Sequence, residues 1–128
     1  MNSPRRGFGP WWRWQHGRQG SGYDKLLLFA TPWPLPCDMY LLRFPEGSSV
    51  PPHVDPVKRG RHYRLNVILR PARQGGEFVC AAPIHAGRRI KLFRPDRELH
   101  SVTRIELGTR WVLSIGWVRD ARGERPAA

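Results

Sequence analysis

The residues best suited to chemistry in this chain of 128 residues are two histidines and one aspartate. His53 and Asp55 stand two positions apart, after the segment Gly-Ser-Ser-Val-Pro-Pro. In an extended chain, residues i and i+2 face the same side, so the imidazole and the carboxylate are expected to converge. His100 is the candidate third ligand, 47 residues beyond His53. Two histidines and one carboxylate with open coordination positions suit non-haem Fe(II), which can then bind a substrate and dioxygen.

A further candidate site residue, Arg110, begins the most regular apolar segment of the chain. Alternation along residues 110–118 predicts a strand with two different faces. The large residues expected to pack against a neighbouring layer are Trp111, Leu113, Ile115 and Trp117. The opposite face carries Arg110, Val112, Ser114 and Gly116, which leave room for a ligand. Because an arginine in such a concavity is costly unless it meets an anion, Arg110 is predicted to bind a carboxylate or a phosphate.

Short apolar segments separated by turns are predicted to position these residues. They span residues 25–29, 39–44, 63–69, 77–82, 89–93 and 110–118. Their length and their β-branched and aromatic content are typical of strands, although residues 26–29 also fit a short helix. Since no long amphipathic helix is visible, the sequence predicts a mainly β fold, either a small barrel or a two-sheet jelly roll.

The length fits one domain, and we expect it to span residues 23–118. Residues 1–22 are expected to form a flexible basic arm, and residues 119–128 a polar tail that frays. Trp11, Trp12 and Trp14 alternate with arginines in the arm, a pattern that suits stacking on bases or a membrane surface. We favour the alternative that these tryptophans cover an apolar patch of the domain, because exposed tryptophan clusters reduce solubility.

The net charge of +12 makes nucleic acid a conceivable partner. However, 19 of the 22 basic residues are arginine, and glycine and proline number 13 each, a bias that GC-rich codons also produce. The charge is spread without a block of five or six like residues, so a basic surface is the favoured interpretation. The sequence contains no apolar run of membrane-spanning length and no apolar signal segment. With only 2 cysteines, a reduced, cytoplasmic setting is expected.

Seven short segments together resemble the 2-oxoglutarate- and Fe(II)-dependent dioxygenases, in particular the prolyl-4-hydroxylase-like branch. They are His53-Val54-Asp55, Arg64-Leu65-Asn66, Gly75-Gly76-Glu77-Phe78, Leu92-Phe93-Arg94-Pro95, His100-Ser101-Val102, Gly108-Thr109-Arg110 and Leu113-Ser114-Ile115-Gly116-Trp117. The resemblance covers about residues 38–118 and implies a double-stranded β-helix, a cupin-like jelly roll with little helix. It also implies that His53, Asp55 and His100 bind the iron. In the same way, it makes Arg110 the partner of the distal carboxylate of 2-oxoglutarate, a pairing that suits a forked guanidinium.

The activity implied by the resemblance is hydroxylation of a protein or peptide side chain or of a small molecule. O2 and 2-oxoglutarate would be consumed and succinate and CO2 released, with ascorbate as a supporting reductant. The family often has a tyrosine about ten residues before the first histidine, where this chain has Phe44. Asn66 is the expected replacement for its hydrogen bond to 2-oxoglutarate, with Tyr40 and Tyr63 as other candidates. The chain is short for the family, so we expect a reduced helical layer and reduced lids over the substrate.

The sequence also fits two other functions. Oxidation of a nucleic-acid base would fit the charge and the tryptophan-rich arm. Related demethylases of alkylated bases usually carry a second arginine six residues beyond the cosubstrate arginine, whereas this chain has Gly116. The other possibility is a jelly-roll binding module without turnover.

The same side chains also suit simpler roles. His53 and Asp55 would also suit a hydrogen-bonded pair in a loop, and His100 a surface position. Arg110 would also suit a surface ion pair with Glu106 or Asp96. The other histidines are expected to be solvated, and the cysteines to act as small buried apolar residues. They are His16, His62, His85, Cys37 and Cys80.

Overall fold

The computed structural model describes residues 14–17, 21–31, 36–57 and 60–119. Every regular element in these ranges is a strand, which confirms the mainly β prediction. The strands are β1 (Trp14–His16), β2 (Asp24–Thr31), β3 (Cys37–Phe44), β4 (Val50–His53), β5 (Arg61–Arg70), β6 (Gln74–Gly75), β7 (Phe78–Cys80), β8 (His85–Ala86), β9 (Ile90–Phe93), β10 (His100–Val102), β11 (Ile105–Leu107) and β12 (Arg110–Arg119). A search of these residues for a membrane-spanning helix finds none.

The strands form three antiparallel sheets. The largest has seven strands in the order β1-β2-β3-β12-β5-β9-β8. A three-stranded sheet has the order β4-β10-β7, and β11 pairs with β6. At the centre of the large sheet, β12 pairs with β3 on one side and β5 on the other, so Ser114 stands between Tyr40 and Asn66. This register decides which side chains of the three strands share the inner face.

The short helix considered for residues 26–29 is not formed. These residues belong to β2, which pairs with β3 from Asp24↔Arg43 to Thr31↔Cys37. The ladder shifts register between Leu27 and Phe29, a local irregularity that a sheet accommodates as a bulge. Pairing with a long neighbouring strand therefore decides the conformation of this apolar segment.

The core lies on the inner faces of the sheets. Its buried apolar residues are Phe44, Val50, Ile68, Val102, Ile105 and Val112. The predicted alternation of β12 is confirmed, because its positions 110, 112, 114 and 116 are all buried. The large residues of β12 face the other way and are partly exposed. Trp111 packs edge-on against Trp14, and Trp117 stacks on Tyr63, so these contacts come from the same sheet rather than from a separate layer.

Part of the segment predicted as an arm is a strand. Residues 14–16 form β1, which pairs with the edge of β2. The rest of the arm, with Trp11 and Trp12, lies outside the described residues except for Gly17, Ser21 and Gly22. Of the predicted tail, only Arg119 is described, as the last residue of β12.

Candidate metal centre

The three predicted metal ligands meet at one point of the structure. One ligand atom from each of His53, Asp55 and His100 lies within 4.8 Å of the other two. The Oδ2 atom of Asp55 is 3.5 Å from Nε2 of His53 and 3.6 Å from Nε2 of His100. Among the described residues, these are the only ones that form such a group.

The backbone sets the direction of both imidazoles. The Nδ1 atom of His53 lies 2.8 Å from the carbonyl oxygen of Pro51, and that of His100 lies 2.9 Å from the carbonyl oxygen of Glu98. A carbonyl oxygen can only accept a hydrogen bond, so each Nδ1 carries the proton. In the neutral rings, each Nε2 therefore presents a lone pair to the Asp55 carboxylate.

This donor set fits a metal cation. With neutral rings, two nitrogen lone pairs and a carboxylate oxygen face one another, an arrangement that a bound cation stabilises. Ligand atoms about 2.1 Å from one metal ion, at angles of about 90 to 110°, lie about 3 to 3.5 Å apart, close to the separations found here. Backbone acceptors on the second ring nitrogen are the usual outer partners of histidine ligands. Two histidines and one carboxylate are the ligand set of non-haem Fe(II) sites with open positions.

Two strands and the irregular segment after β4 hold the three ligands. His53 ends β4 and is the direct cross-strand partner of His100 on β10. Asp55 follows β4, and its backbone N–H donates to the carbonyl oxygen of Pro95, 2.7 Å away. The His100 ring packs 4.9 Å from the ring of Phe93, which is 1% exposed. The ligands are thereby fixed on one side by packing, while the Asp55 side chain remains 43% exposed.

The triad lines a cavity of about 280 Å³ between the sheets. This volume is near the lower end of the range for small-molecule sites. All five predicted site residues, which are His53, Asp55, Asn66, His100 and Arg110, border this cavity. Three of its lining side chains are cations, against one carboxylate, Asp55; the cations are Lys25, Arg64 and Arg110. The cavity is therefore suited to anionic ligands.

Arg110 is buried at the wall of this cavity rather than on the surface. It is 3% exposed, and burial lowers the pKa of its guanidinium to about 10, a shift that the charge of Glu77 partly opposes. Among the described residues it makes no hydrogen bond or ion pair, and its guanidinium carbon lies 5.1 Å from the ring centre of Phe44. The alternative pairing with Asp96 is wrong, since Asp96 pairs with Arg94. A buried guanidinium without a counterion is a ready site for a carboxylate.

Asn66 is the next predicted site residue, and it is 8% exposed. Its Oδ1 atom accepts a hydrogen bond of 2.7 Å from Oγ of Ser114. This bond leaves both N–H groups of the amide available to a ligand. Asn66 is therefore able to donate to a ligand in the cavity.

The tyrosine candidates separate clearly in the structure. Tyr63 stacks on Trp117 on the outer face of the large sheet, so its expected place near the cosubstrate is wrong. Tyr40 lines the cavity, where burial and the charge of Asp38 raise the pKa of its hydroxyl. Tyr23 was not predicted, yet it also lines the cavity and stacks on Phe44 with ring centres 4.7 Å apart. A tyrosine ring thus borders the cavity next to the Phe44 position.

Other cavity residues were missed by sequence reasoning. His62 was expected to be solvated, but its Nδ1 atom is buried and has no hydrogen-bond partner among the described residues. Burial and the charge of Arg64 lower the pKa of this ring. Arg64 suits either a charge that steers an acidic substrate or a solvated charge, and in the structure its side chain is 16% exposed and pairs with Asp38. The alternating pattern of β5 placed Arg64 on the face of Asn66, and that was the available sequence indication.

The comparisons with known proteins show the fold. No protein-family model matches the chain, and no curated protein matches its sequence at a significant level. The structure of KdgF from Halomonas sp. is similar, with a TM-score of 0.56 and 16% identity over 87% of this chain and 90% of that chain. The cupin domain of Cnp3 from Schizosaccharomyces pombe has a TM-score of 0.61 and 14% identity over 88% and 73% of the two chains.

A third similar structure is a prolyl hydroxylase from Trichoplax adhaerens in complex with a peptide fragment of hypoxia inducible factor. Its TM-score is 0.53, with 21% identity over 84% of this chain and 50% of that chain. These identities support a statement about architecture only. The chain has the jelly-roll fold of cupin domains, which confirms the predicted fold class.

Proposed function

We propose that this cupin-fold chain is a non-haem Fe(II)- and 2-oxoglutarate-dependent dioxygenase that hydroxylates an organic substrate. The observation that carries the proposal is one cavity bordered by both the His53, Asp55 and His100 triad and the unpaired guanidinium of Arg110. The triad suits a redox-active metal with open positions, and the arginine suits a carboxylate. A prolyl hydroxylase among the similar structures agrees with this combination.

Each residue has a distinct task in this proposal. His53, His100 and Asp55 hold the metal from one side, because both Nε2 lone pairs and Oδ2 point to a common position. Arg110 binds the distal carboxylate of 2-oxoglutarate through paired N–H donors. The N–H groups of Asn66 donate to the same cosubstrate, and the apolar rings of Phe78 and Phe93 beside His100 limit the access of water.

When bound, Fe(II) would supply the oxidising chemistry of the overall reaction, which is R–H + O2 + 2-oxoglutarate → R–OH + succinate + CO2. One oxygen atom enters the product and the other enters succinate. The four electrons that O2 accepts come from the C–H bond and from the oxidative decarboxylation. The protein's contribution is to hold the cosubstrate carboxylate at Arg110 and the substrate beside the triad, so that geometry determines which C–H bond reacts.

The direct test is succinate formation from 2-oxoglutarate with Fe(II), ascorbate and air. The purified protein is first stripped with a chelator, because Zn(II) or Ni(II) can occupy the same ligands. Wild-type protein is expected to form succinate slowly even without its substrate. His100→Ala and Arg110→Ala should each abolish this signal, the first by removing a metal ligand and the second by removing the carboxylate partner.

Matched controls come from residues outside the cavity. His85 and Arg73 are exposed and do not border it, so His85→Ala and Arg73→Ala are expected to retain wild-type succinate formation. Binding of 2-oxoglutarate is measured in parallel by calorimetry with and without metal. Absence of succinate, together with 2-oxoglutarate binding that the metal does not tighten, would refute the proposal. Tight metal-dependent binding without turnover would instead identify a binding module.

A further inference from the structure

A second arginine, Arg64, also borders the cavity. It lies on β5, which pairs with β12. Arg64 stands opposite Gly116 on the inner face of the large sheet. A Cβ atom at position 116 would overlap the Arg64 guanidinium, so the glycine creates the space that this group fills. Gly116 and Arg110 are six residues apart, which is about 20 Å of extended strand. The two arginines therefore start from well separated backbone positions, and the Arg64 guanidinium bonds to Ser114, which lies between those positions.

Hydrogen bonds hold Arg64 in a fixed orientation and leave some of its N–H donors available. Its Nη1 donates to Oγ of Ser114 over 2.7 Å, and its Nη2 donates to Oδ1 of Asp38 over 2.6 Å. Ser114 in turn donates to Asn66. A guanidinium has five N–H donors, and these two bonds use two of them. Only 16% of the side chain is exposed, so water can bind few of the remaining N–H groups.

The surroundings of Arg64 suit a single negative charge. Asp38 balances part of its charge but does not border the central cavity, and Lys25 adds a second cation to the lining. A second cavity of about 230 Å³ adjoins this end and shares Tyr40 and His62 with the first. Arg64 borders the first of these cavities, and its partner Asp38 borders the second. The nearby Asp38 carboxylate would repel a doubly charged phosphate more strongly than a carboxylate.

We propose that Arg64, oriented by Asp38 and Ser114, binds a carboxylate of the molecule that is hydroxylated, so that the substrate is a small carboxylic acid. This inference rests on the proposed function, and it assigns the cosubstrate to Arg110 and the substrate to Arg64. Asp38 acts as a positioning residue. It holds the guanidinium, and its own charge keeps the affinity for the acid moderate.

The first experiment measures binding without turnover. Arg110→Met protein without metal removes the cosubstrate position and leaves Arg64 as the buried, hydrogen-bonded guanidinium of the cavity. Standard L-amino acids, their carboxamides and the matching aminophosphonic acids are titrated by calorimetry. At least one free acid should bind, at least tenfold more tightly than its amide and its phosphonic analogue. Adding Arg64→Met should weaken binding of that acid at least tenfold. Adding Asp38→Asn should strengthen its binding, because asparagine keeps an oxygen that accepts from Arg64 and removes the competing negative charge.

The second experiment measures turnover in otherwise wild-type protein with Fe(II) and saturating 2-oxoglutarate. The acid found by calorimetry should stimulate succinate formation and gain one oxygen atom, as detected by mass spectrometry. Arg64→Met should raise the KM for that acid at least tenfold, with a smaller effect on the KM for 2-oxoglutarate. Circular dichroism and the melting temperature of each variant establish that it is folded.

Several results would overturn the inference. Equal binding of acids and amides, or no binding of any acid to Arg110→Met protein, removes the carboxylate site. If the aminophosphonic acid binds more tightly than the carboxylic acid, the site is selective for phosphonates or phosphates and not for carboxylates. If Arg64→Met and Asp38→Asn both weaken binding of the acid, the ion pair of Arg64 and Asp38 has a purely structural role. A larger effect of Arg64→Met on 2-oxoglutarate than on the acid assigns Arg64 to the cosubstrate. Failure of the proposed function is separate, since it shows as absent succinate while acid binding persists.

Discussion

His53 and His100 are direct cross-strand partners in the antiparallel pair of β4 and β10, although 47 residues separate them in the sequence. Their ring centres lie 4.3 Å apart at an angle of 54°. Opposed residues of an antiparallel pair have Cα atoms about 4.5 to 5.5 Å apart, so the ladder itself brings the two nitrogen ligands together. Asp55 needs only two further residues to reach the same position. The candidate metal centre is therefore a product of one strand pairing.

Packing behind His100 should control metal affinity. Phe93→Leu keeps an apolar side chain but loses the ring contacts to His100 and Phe78. We expect it to destabilise the fold by about 1 to 2 kcal/mol and to weaken metal binding roughly tenfold, because the imidazole is less well oriented. Urea unfolding and Co(II) titration measure the two effects. Ile105→Val, at a fully buried core position, should cost a similar free energy without changing metal affinity. Equal metal affinities in both variants would contradict this role of Phe93.

Arg110 should weaken the fold until an anion binds. Burial lowers its pKa to about 10 in the folded protein, below the ordinary value of the side chain, so the unfolded state holds the proton more tightly. Stability gained from deprotonation appears only as pH rises through about 10, and at neutral pH the charged group is destabilising. Arg110→Met should therefore raise the unfolding free energy by about 1 to 3 kcal/mol at pH 7. Thermal melts should also show that 2-oxoglutarate stabilises wild type but not this variant. A destabilised Arg110→Met protein would argue against an uncompensated charge.

Gly116 and Arg64 should be energetically coupled. Gly116→Ala places a methyl group where the guanidinium lies, and we expect a loss of about 1 to 3 kcal/mol through overpacking. Arg64→Ala removes the obstructing group, so the double variant should be more stable than the sum of the single effects. The coupling is expected to be about 0.5 to 3 kcal/mol, measured by a double-mutant cycle in urea. Additive effects would mean that the two side chains do not share this space.

Removal of the metal should leave the architecture intact. The apolar core and the large sheet do not include the triad, so the far-ultraviolet circular dichroism of chelated protein should equal that of loaded protein. Stability should still rise with metal concentration, by about 2.7 kcal/mol when free metal exceeds its Kd about 100-fold. Melting temperature as a function of Fe(II) or Mn(II) concentration under anaerobic conditions measures this dependence. His100→Ala should melt at the same temperature with and without metal.

Local pattern was sufficient to predict the strand that carries Arg110. Alternating large and small residues fixed the faces of β12, and the buried positions follow that alternation. By contrast, no alternation indicates β4, the segment that ends at His53, because Pro51 and Pro52 disfavour a strand interior. Prolines are tolerated there because β4 is an edge strand of its sheet. A single sequence does not reveal which strands are edges, since that depends on the whole topology.

The ion pair of Arg64 and Asp38 also could not be predicted. The two residues lie on β5 and β3, which never pair with each other but both pair with β12. Gly116 is opposite both of them, and its missing side chain lets the two charged groups meet. Two registers and one absent Cβ atom together create this contact. Residue type and alternation indicate the face of Arg64 but not its partner.

The position of β12 at the middle of the large sheet should make its amide hydrogens exchange more slowly than those of the edge strand β4. Amide hydrogens of β12 are covered by strands on both sides and should exchange with solvent only on the largest unfolding events. The edge strand β4, which ends at His53, should exchange through smaller openings. Arg110 is thus expected on a slowly exchanging strand and His53 on a faster one. Under the proposed function, a metal ion would then be able to exchange in the folded protein without disturbing the residue proposed to bind the cosubstrate.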